Sequence, residues 1–412
     1  TVNGSNIICN NNIITSGSQS ICYINNSVCG YNPNLDINPQ INIIYEGVSN
    51  SKNLGIGYGV IINPPEVITI YNSQNISTPA PFQQDIAICN GTPDVGSGFA
   101  YYDDPNLFSQ INSNGQNVIY FDTNYNLLYS WYEGQDNING VYCDVWWVNI
   151  PNGISPNSNI TIYMGLGNSN DNYYQLYYPY VGEAPQLSIP YGQYDNGQYV
   201  FDIYFNGNTP TSDFTLGPGN NLSTTTVNYN GVNISVLELV TQAYDSAMTY
   251  VVKGVPAGGY IVESFVESTN TTANTISWAG LVDNSTASDL KNGIGIATGD
   301  GYTTSIGPYY WIDGSPGGPS TNYVPSANVW YLAEIIYPGP SSSNFTVYLY
   351  NLTTYQLVLN ATESKNPLSS VNTYYFGLPT GNGGATGQTI YFNWALIRAY
   401  PPNGVMPEIY IS

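Results

Sequence analysis

The chain has 412 residues, a formal net charge of −22, no histidine, and charged side chains at only 8% of its positions, where soluble domains ordinarily carry about 25%. Four lysines and one arginine make no basic patch for nucleic acid or for an anionic membrane surface. Without histidine, Ser-His-Asp and Cys-His chemistry is closed, and no apolar run approaches the ~20 residues of a membrane-spanning helix.

The polarity comes from Asn, Ser, Thr, Gly, Gln and 40 Tyr, none of which changes charge below neutrality. Acid unfolds proteins by protonating paired carboxylates and by charging buried His. A chain with five cations and no His has little of either to lose, so we expect adaptation to acid. The polar, Asn-rich start Thr1–Ser20 lacks a signal-peptide pattern and the apolar helix of a type IV pilin. We expect a mature exported form, extracellular and at the cell surface.

Residues 1–95 hold four of the five cysteines and several Ile-Ile pairs. Cys9, Cys22, Cys29, Cys89 and Cys143 have no metal-site spacing, and in an exported chain disulfides are the default. One bridge within Cys9/Cys22/Cys29 and a second between Cys89 and Cys143 leave one thiol over. The segment Asn6–Thr15 (NIICNNNIIT) is strand-capable, with Asn6, Ile7, Ile8, Ile13 and Ile14 as candidate subunit contacts. Such a segment can leave its own domain and complete a neighbour's sheet.

Short β-branched and aromatic runs punctuated by Gly, Pro and Asn follow, the pattern of sandwiches and barrels. They include 117–121 (NVIYF), 145–150 (VWWVNI), 159–164 (NITIYM), 260–269 (YIVESFVEST), 345–352 (FTVYLYNL) and 389–399 (TIYFNWALIRA). In Phe345–Leu349 the alternation predicts one core face and one wet face. Residues 96–185 form a second region, 177–190 (YYPYVGEAPQLSIP) reads as a linker, and 186–412 form a longer third region. Twelve Asn-x-Ser/Thr acceptors occur, at Asn3, Asn25, Asn75, Asn90, Asn159, Asn221, Asn233, Asn270, Asn284, Asn344, Asn351 and Asn360. An Asn-rich chain generates such triplets by chance, yet glycans would keep a charge-poor surface soluble in acid.

In the second region NVIYFDTNYNLLYSWYE (117–133) is followed by VWWVNIPNGISPNSNITIYMGLGN (145–168). This succession resembles an exported archaeal and bacterial surface domain of unknown function, whose pattern runs Phe-x-Asp, Leu-x-Tyr-Trp-x-Glu, VWVKVP, then TIYMYYGN. The chain departs from it by one extra residue between Tyr129 and Trp131 and by Asn149 in place of Lys. APQLS…YGQYDNGQYVFDIYFNG (184–207) and IYFNWALIRAYPPNGVMPEI (390–409) are similar to the start and end of a concanavalin A-like or laminin-G-like jelly roll that follows such a domain. The resemblance implies an all-β chain of tandem β-sandwich domains, the C-terminal one a concanavalin A-like jelly roll. It carries no catalytic residues.

What remains for catalysis is carboxylate chemistry. Glu263 and Glu267 share one strand face by their spacing of four, although Phe265 stands between them where retaining enzymes on this fold have Asp; two solvated carboxylates are the simpler expectation. Asp202 and Glu238 are lone strand acids. Asp103-Asp104, 168–172 (NSNDN) and 283–289 (DNSTASD) offer hard oxygen ligands, but loop Asp and Asn ordinarily make turns. Tyr309-Tyr310-Trp311 and Tyr101-Tyr102 beside Gly/Pro/Asp loops suggest exposed aromatic platforms. The leading expectation is therefore not an enzyme. It is a glycoprotein subunit of an extracellular filament or surface layer of an acidophilic, thermophilic archaeon, partnered with itself and joined by an N-terminal donor strand. The alternatives are a glycan-binding surface adhesin and an acid-active carboxylate hydrolase. No cofactor, metal, nucleic acid or membrane span is expected.

Overall fold

The computed structural model describes residues 65–188, 192–241, 248–269, 277–298, 305–318, 321, 323–379 and 388–412, together with the strands Ile7–Cys9 and Asn12–Ile14. Those two strands pair with one another, Ile7 opposite Ile14. Of the N-terminal contact candidates, Ile7, Ile8, Ile13 and Ile14 lie in this pair, and Asn6 lies outside the described residues, as do Cys22 and Cys29.

The remainder is two β-sandwiches, and α-helix among the described residues is confined to Pro105–Phe108, Tyr173–Tyr177 and Gly197–Val200. The first sandwich packs a five-stranded sheet, in the order Val181–Glu183, Ser130–Ile138, Val141–Ile150, Phe82–Cys89 and Tyr101–Asp103, on a four-stranded one, in the order Glu408–Ile411, Glu66–Asn72, Ser158–Leu166 and Val118–Asp122. Strands from before residue 95 and after residue 407 thus belong to the same two sheets as strands from 96–185. The segment read as a linker is built into the sheet, because Val181–Glu183 runs parallel to Ser130–Tyr132; its prolines flank that short strand. The hairpin joining Ser130–Ile138 to Val141–Ile150 turns on Asn139 (φ 53°) and Gly140 (φ 94°), the two positive-φ residues of a tight twisted turn. Cys89 and Cys143 sit opposite each other on neighbouring strands and are joined by a disulfide. With a sequence separation of 54 between the two cysteines, converting both to Ala should cost about 2–4 kcal/mol in urea unfolding.

The second sandwich is the expected jelly roll. Its larger sheet runs Asn221–Tyr229, Val232–Thr241, Gln388–Ala399, Tyr260–Ser268, Trp330–Tyr337, Phe345–Asn351 and Gln356–Glu363, with Ile203–Asn206 also on Gln388–Ala399. It faces a six-stranded sheet centred on Ser277–Val282 and Gly293–Thr298. Val262, Val266, Ala333, Ile335, Val347 and Leu349 from one sheet meet Trp278, Leu281, Ile294 and Ile296 from the other.

The outer face of the larger sheet is covered as well. Phe265, Trp330, Trp394 and Leu396 belong to the same apolar core as Trp131, Phe201 and Tyr204 of the first sandwich and its junction. Trp131 meets Trp394 edge-on at 5.6 Å and 86°. A hydrogen bond locks the contact: Ala399 N donates to Gln83 Oε1 at 2.9 Å. Because both faces of Tyr260–Ser268 are buried, every residue of that strand is buried, and a single-faced reading of it fails.

A polar junction between two sandwiches

Glu263 and Glu267 do share a face, but neither is solvated, because that face is the one covered by the first sandwich. Glu263 Oε1 accepts from Arg398 Nε at 2.8 Å and pairs with Nη2 at 2.7 Å. Glu334 lies 3.9 Å from the same Nη2. The guanidinium stacks over Trp147, 4.2 Å from the ring centroid, and Trp147 Nε1 donates to Glu133 Oε2 at 2.8 Å. The chain's only arginine therefore serves several carboxyls, a shortage with electrostatic consequences.

Burial disfavours a charged carboxylate, so its pKa rises unless a cation compensates. Asp85, fully buried, is pushed up to about 8 by burial, against the opposing pull of the Ala100 N–H and Arg398. Burial, then Glu263, raises Glu334 to about 7, and burial raises Asp136 to about 6. Glu133 is raised by burial and then by Asp136 and Glu263. Away from the arginine, burial lifts Asp144 to about 6, Asp202 to about 6 and Glu183 to about 7. In each case a hydrogen-bond partner opposes the rise without cancelling it: Tyr132 for Asp144, Gln83 for Asp202 and Ser188 for Glu183.

A polar pocket of about 280 Å³ opens at the junction. Its anchor is Asp195, buried and holding four donors: Trp131 Nε1 and Gly197 N at 3.0 Å on Oδ1, Tyr204 OH at 2.7 Å and Asn206 Nδ2 at 2.6 Å on Oδ2. Burial raises its pKa while these bonds pull it down. Tyr178, Gly192, Gln198, Asn208, Asp213 and Tyr250 complete the walls. None of these residues was singled out from the sequence. The available signal was the density of Tyr, Asn, Gln and Gly in 191–208 (YGQYDNGQYVFDIYFNGN).

The expected aromatic platforms are not where the sequence put them. Tyr309 and Trp311 are buried and Tyr310 half-buried, because Ile306–Ile312 is an inner strand of the six-stranded sheet. Tyr101 and Tyr102 are half-buried. Among the described residues the exposed aromatics are Tyr142, Tyr178, Tyr199, Tyr355 and Tyr410; of these Tyr178 and Tyr199 lie near the junction, Tyr199 ending a stack in which Tyr129 lies between Tyr180 at 4.6 Å and Tyr199 at 5.3 Å. The loop acids serve local structure: Asp104 caps Pro105–Phe108, Asp171 accepts from Asn168 N, and Asp283 accepts from Asn292 N. Glu238 is half-buried and accepts from Ser223 Oγ at 3.1 Å.

Of the acceptor asparagines, Asn75, Asn90, Asn159, Asn221, Asn233, Asn344 and Asn360 are exposed, and Asn284 and Asn351 half-buried. Asn3, Asn25 and Asn270 lie outside the described residues. Asn221 and Asn360 stand on the two edge strands of the larger sheet, Asn221–Tyr229 and Gln356–Glu363.

No family model matches the chain. Uncharacterized protein 562 of Sulfolobus islandicus rod-shaped virus 1 is 32% identical over 359 residues, covering 86% of this chain and 60% of that protein. The chain thus spans about 60% of the length of this curated relative. Among solved structures, a protein of unknown function from Shewanella oneidensis MR-1 is similar at a TM-score of 0.34 with 12% identity, over 48% of this chain and 84% of its own. Lectin I of Ulex europaeus follows at 0.31 with 14% identity, and peanut lectin at 0.30 with 11%, each over 48% of this chain and 97% of the lectin.

Proposed function

We propose that this chain is a structural glycoprotein of an extracellular surface assembly, built to stay folded in acid. The observation that carries the reading is the set of junction carboxyls with raised pKa, Asp85, Glu133 and Glu334, served by one buried arginine. Such a fold is at its best where those carboxyls keep their protons. A viral relative and a lectin-type sandwich fit a protein of an exterior surface. Glu263 is held by Arg398 and Glu267 is covered, which removes the two residues a carboxylate hydrolase was expected to use.

In this reading the exposed acceptor asparagines carry glycans. Those at Asn221 and Asn360 sit on edge strands, where a glycan would block edge-to-edge pairing. Polymer growth then runs through the N-terminal segment, whose strands Ile7–Cys9 and Asn12–Ile14 open to complete a neighbour's sheet. Negative-stain microscopy of natively produced protein at pH 3 should show a regular filament or sheet, and deletion of residues 1–15 should leave monomers. Isolated single particles from the intact chain would remove the assembly reading, and polymers that survive the deletion would remove the donor strand.

A further inference from the structure

We propose that the pocket at the junction of the two sandwiches binds one pyranose unit of an uncharged glycan. Its volume of about 280 Å³ is at the lower end of ligand pockets and suits a single ring. The walls offer the two things a sugar ring needs. Tyr178, 45% exposed, supplies an aromatic face for the C–H face of the ring, and the largely buried Tyr204 and Tyr250 line the wall beside it. Gln198, Asn208 and Asp213 supply donors and acceptors for its hydroxyls.

The site is held in shape before any ligand arrives. Asp195 fixes the Tyr204 hydroxyl at 2.7 Å and the Asn206 amide at 2.6 Å, and Asn206 Oδ1 in turn accepts from Asn208 N at 2.8 Å. Such preorganisation favours binding by lowering what must be ordered on association. Gly192 keeps the wall low: its φ is +78°, and a Cβ there would stand 2.7 Å from Asn208 Nδ2. Charge narrows the ligand. Among the described residues no Lys or Arg lines the pocket, so an anion finds no counter-charge there. The Asp195 carboxylate already has four donors, and Asp213 alone is too few carboxylates to hold a hard cation. An uncharged polyhydroxylated ring is the chemistry that remains, and it is indifferent to the acid in which the fold is most stable.

The sugar can belong to a glycan borne by another copy of this chain or to a foreign surface polysaccharide. Both present the same ring, and the proposal does not depend on the assembly reading above. The test uses the full chain made without glycans, titrated calorimetrically at pH 4. The probes are the methyl pyranosides of glucose, mannose, galactose and N-acetylglucosamine, and oligosaccharides released from natively produced protein. We expect saturable binding with a dissociation constant of about 0.1–1 mM. It should weaken about tenfold or more in Asn208→Ala and in Tyr178→Ala, both with unchanged melting temperature. Tighter binding of the released oligosaccharides assigns the pocket to the chain's own glycans, and tighter binding of a methyl pyranoside assigns it to a foreign one. Absence of saturable binding by every probe, or equal binding in wild type and both variants, overturns the proposal.

Discussion

Arg398→Leu should destabilise the protein by about 3–5 kcal/mol at pH 7 and by less at pH 3. Removing one partner of a buried ion pair leaves the other charge in low dielectric, and that is the scale of the loss. Here the arginine leaves behind Glu263, which gives up both hydrogen bonds, and Glu334 at 3.9 Å. It also abandons Asp85 and Glu133, whose pKa values it holds down. At pH 3 Asp85, Glu133 and Glu334 take protons instead, and what remains is the lost pairing with Glu263 and the lost packing over Trp147. Urea unfolding of wild type and variant at both pH values measures the difference. An equal loss at both would mean that the arginine acts through packing alone.

Asp85→Asn is expected to do the reverse. Asp85 is fully buried, its carboxyl accepts from Ala100 N at 2.8 and 3.1 Å, and its pKa stands at about 8. In the unfolded chain the same group titrates near its ordinary value of 3.8. Between those values the folded state binds a proton that the unfolded state has released, so stability falls as pH rises through the window. At pH 7 wild type has lost roughly 4 kcal/mol from this group relative to pH 3, at ~1.4 kcal/mol per pH unit. An amide keeps one acceptor for Ala100 and has nothing to ionise. The variant should match wild type at pH 3 and exceed it by roughly 4 kcal/mol at pH 7. A variant weaker than wild type at both pH values would show that Asp85 is needed as a carboxylate.

Much of the fold was legible from local pattern. Phe345, Val347 and Leu349 are buried, and Thr346 and Tyr348 half-buried, as their alternation predicts. Cys89 and Cys143, named as candidates to pair, lie opposite each other on adjacent strands. Reading failed where a second sandwich, distant in sequence, decides the outcome. Glu263 and Glu267 look solvated because they are charged, and the Trp131–Trp394 contact that helps to bury their face joins residues far apart in the chain. Tyr309–Trp311 look exposed because Gly and Pro flank them, yet the strand is flanked on both sides by others of its sheet. The pocket was missed for the same reason: Asp195, Asn208 and Tyr250 converge only through tertiary packing.

The absence of histidine and the scarcity of cations suggest a chain with little for acid to break. The raised pKa values of the buried carboxyls turn this into a prediction, that acid stabilises the fold. Asp85, Asp136, Asp144, Asp202, Glu183 and Glu334 hold their protons to about pH 6–8, above their unfolded values near 4. The contribution is complete below about pH 4 and is lost as pH rises through 6–8. The most direct test is the free energy of urea unfolding of the intact, disulfide-bonded protein at pH 3, 5, 7 and 8. The account predicts the highest value at pH 3 and a fall of at least about 5 kcal/mol by pH 8; a curve that is flat, or that rises toward neutrality, would contradict it.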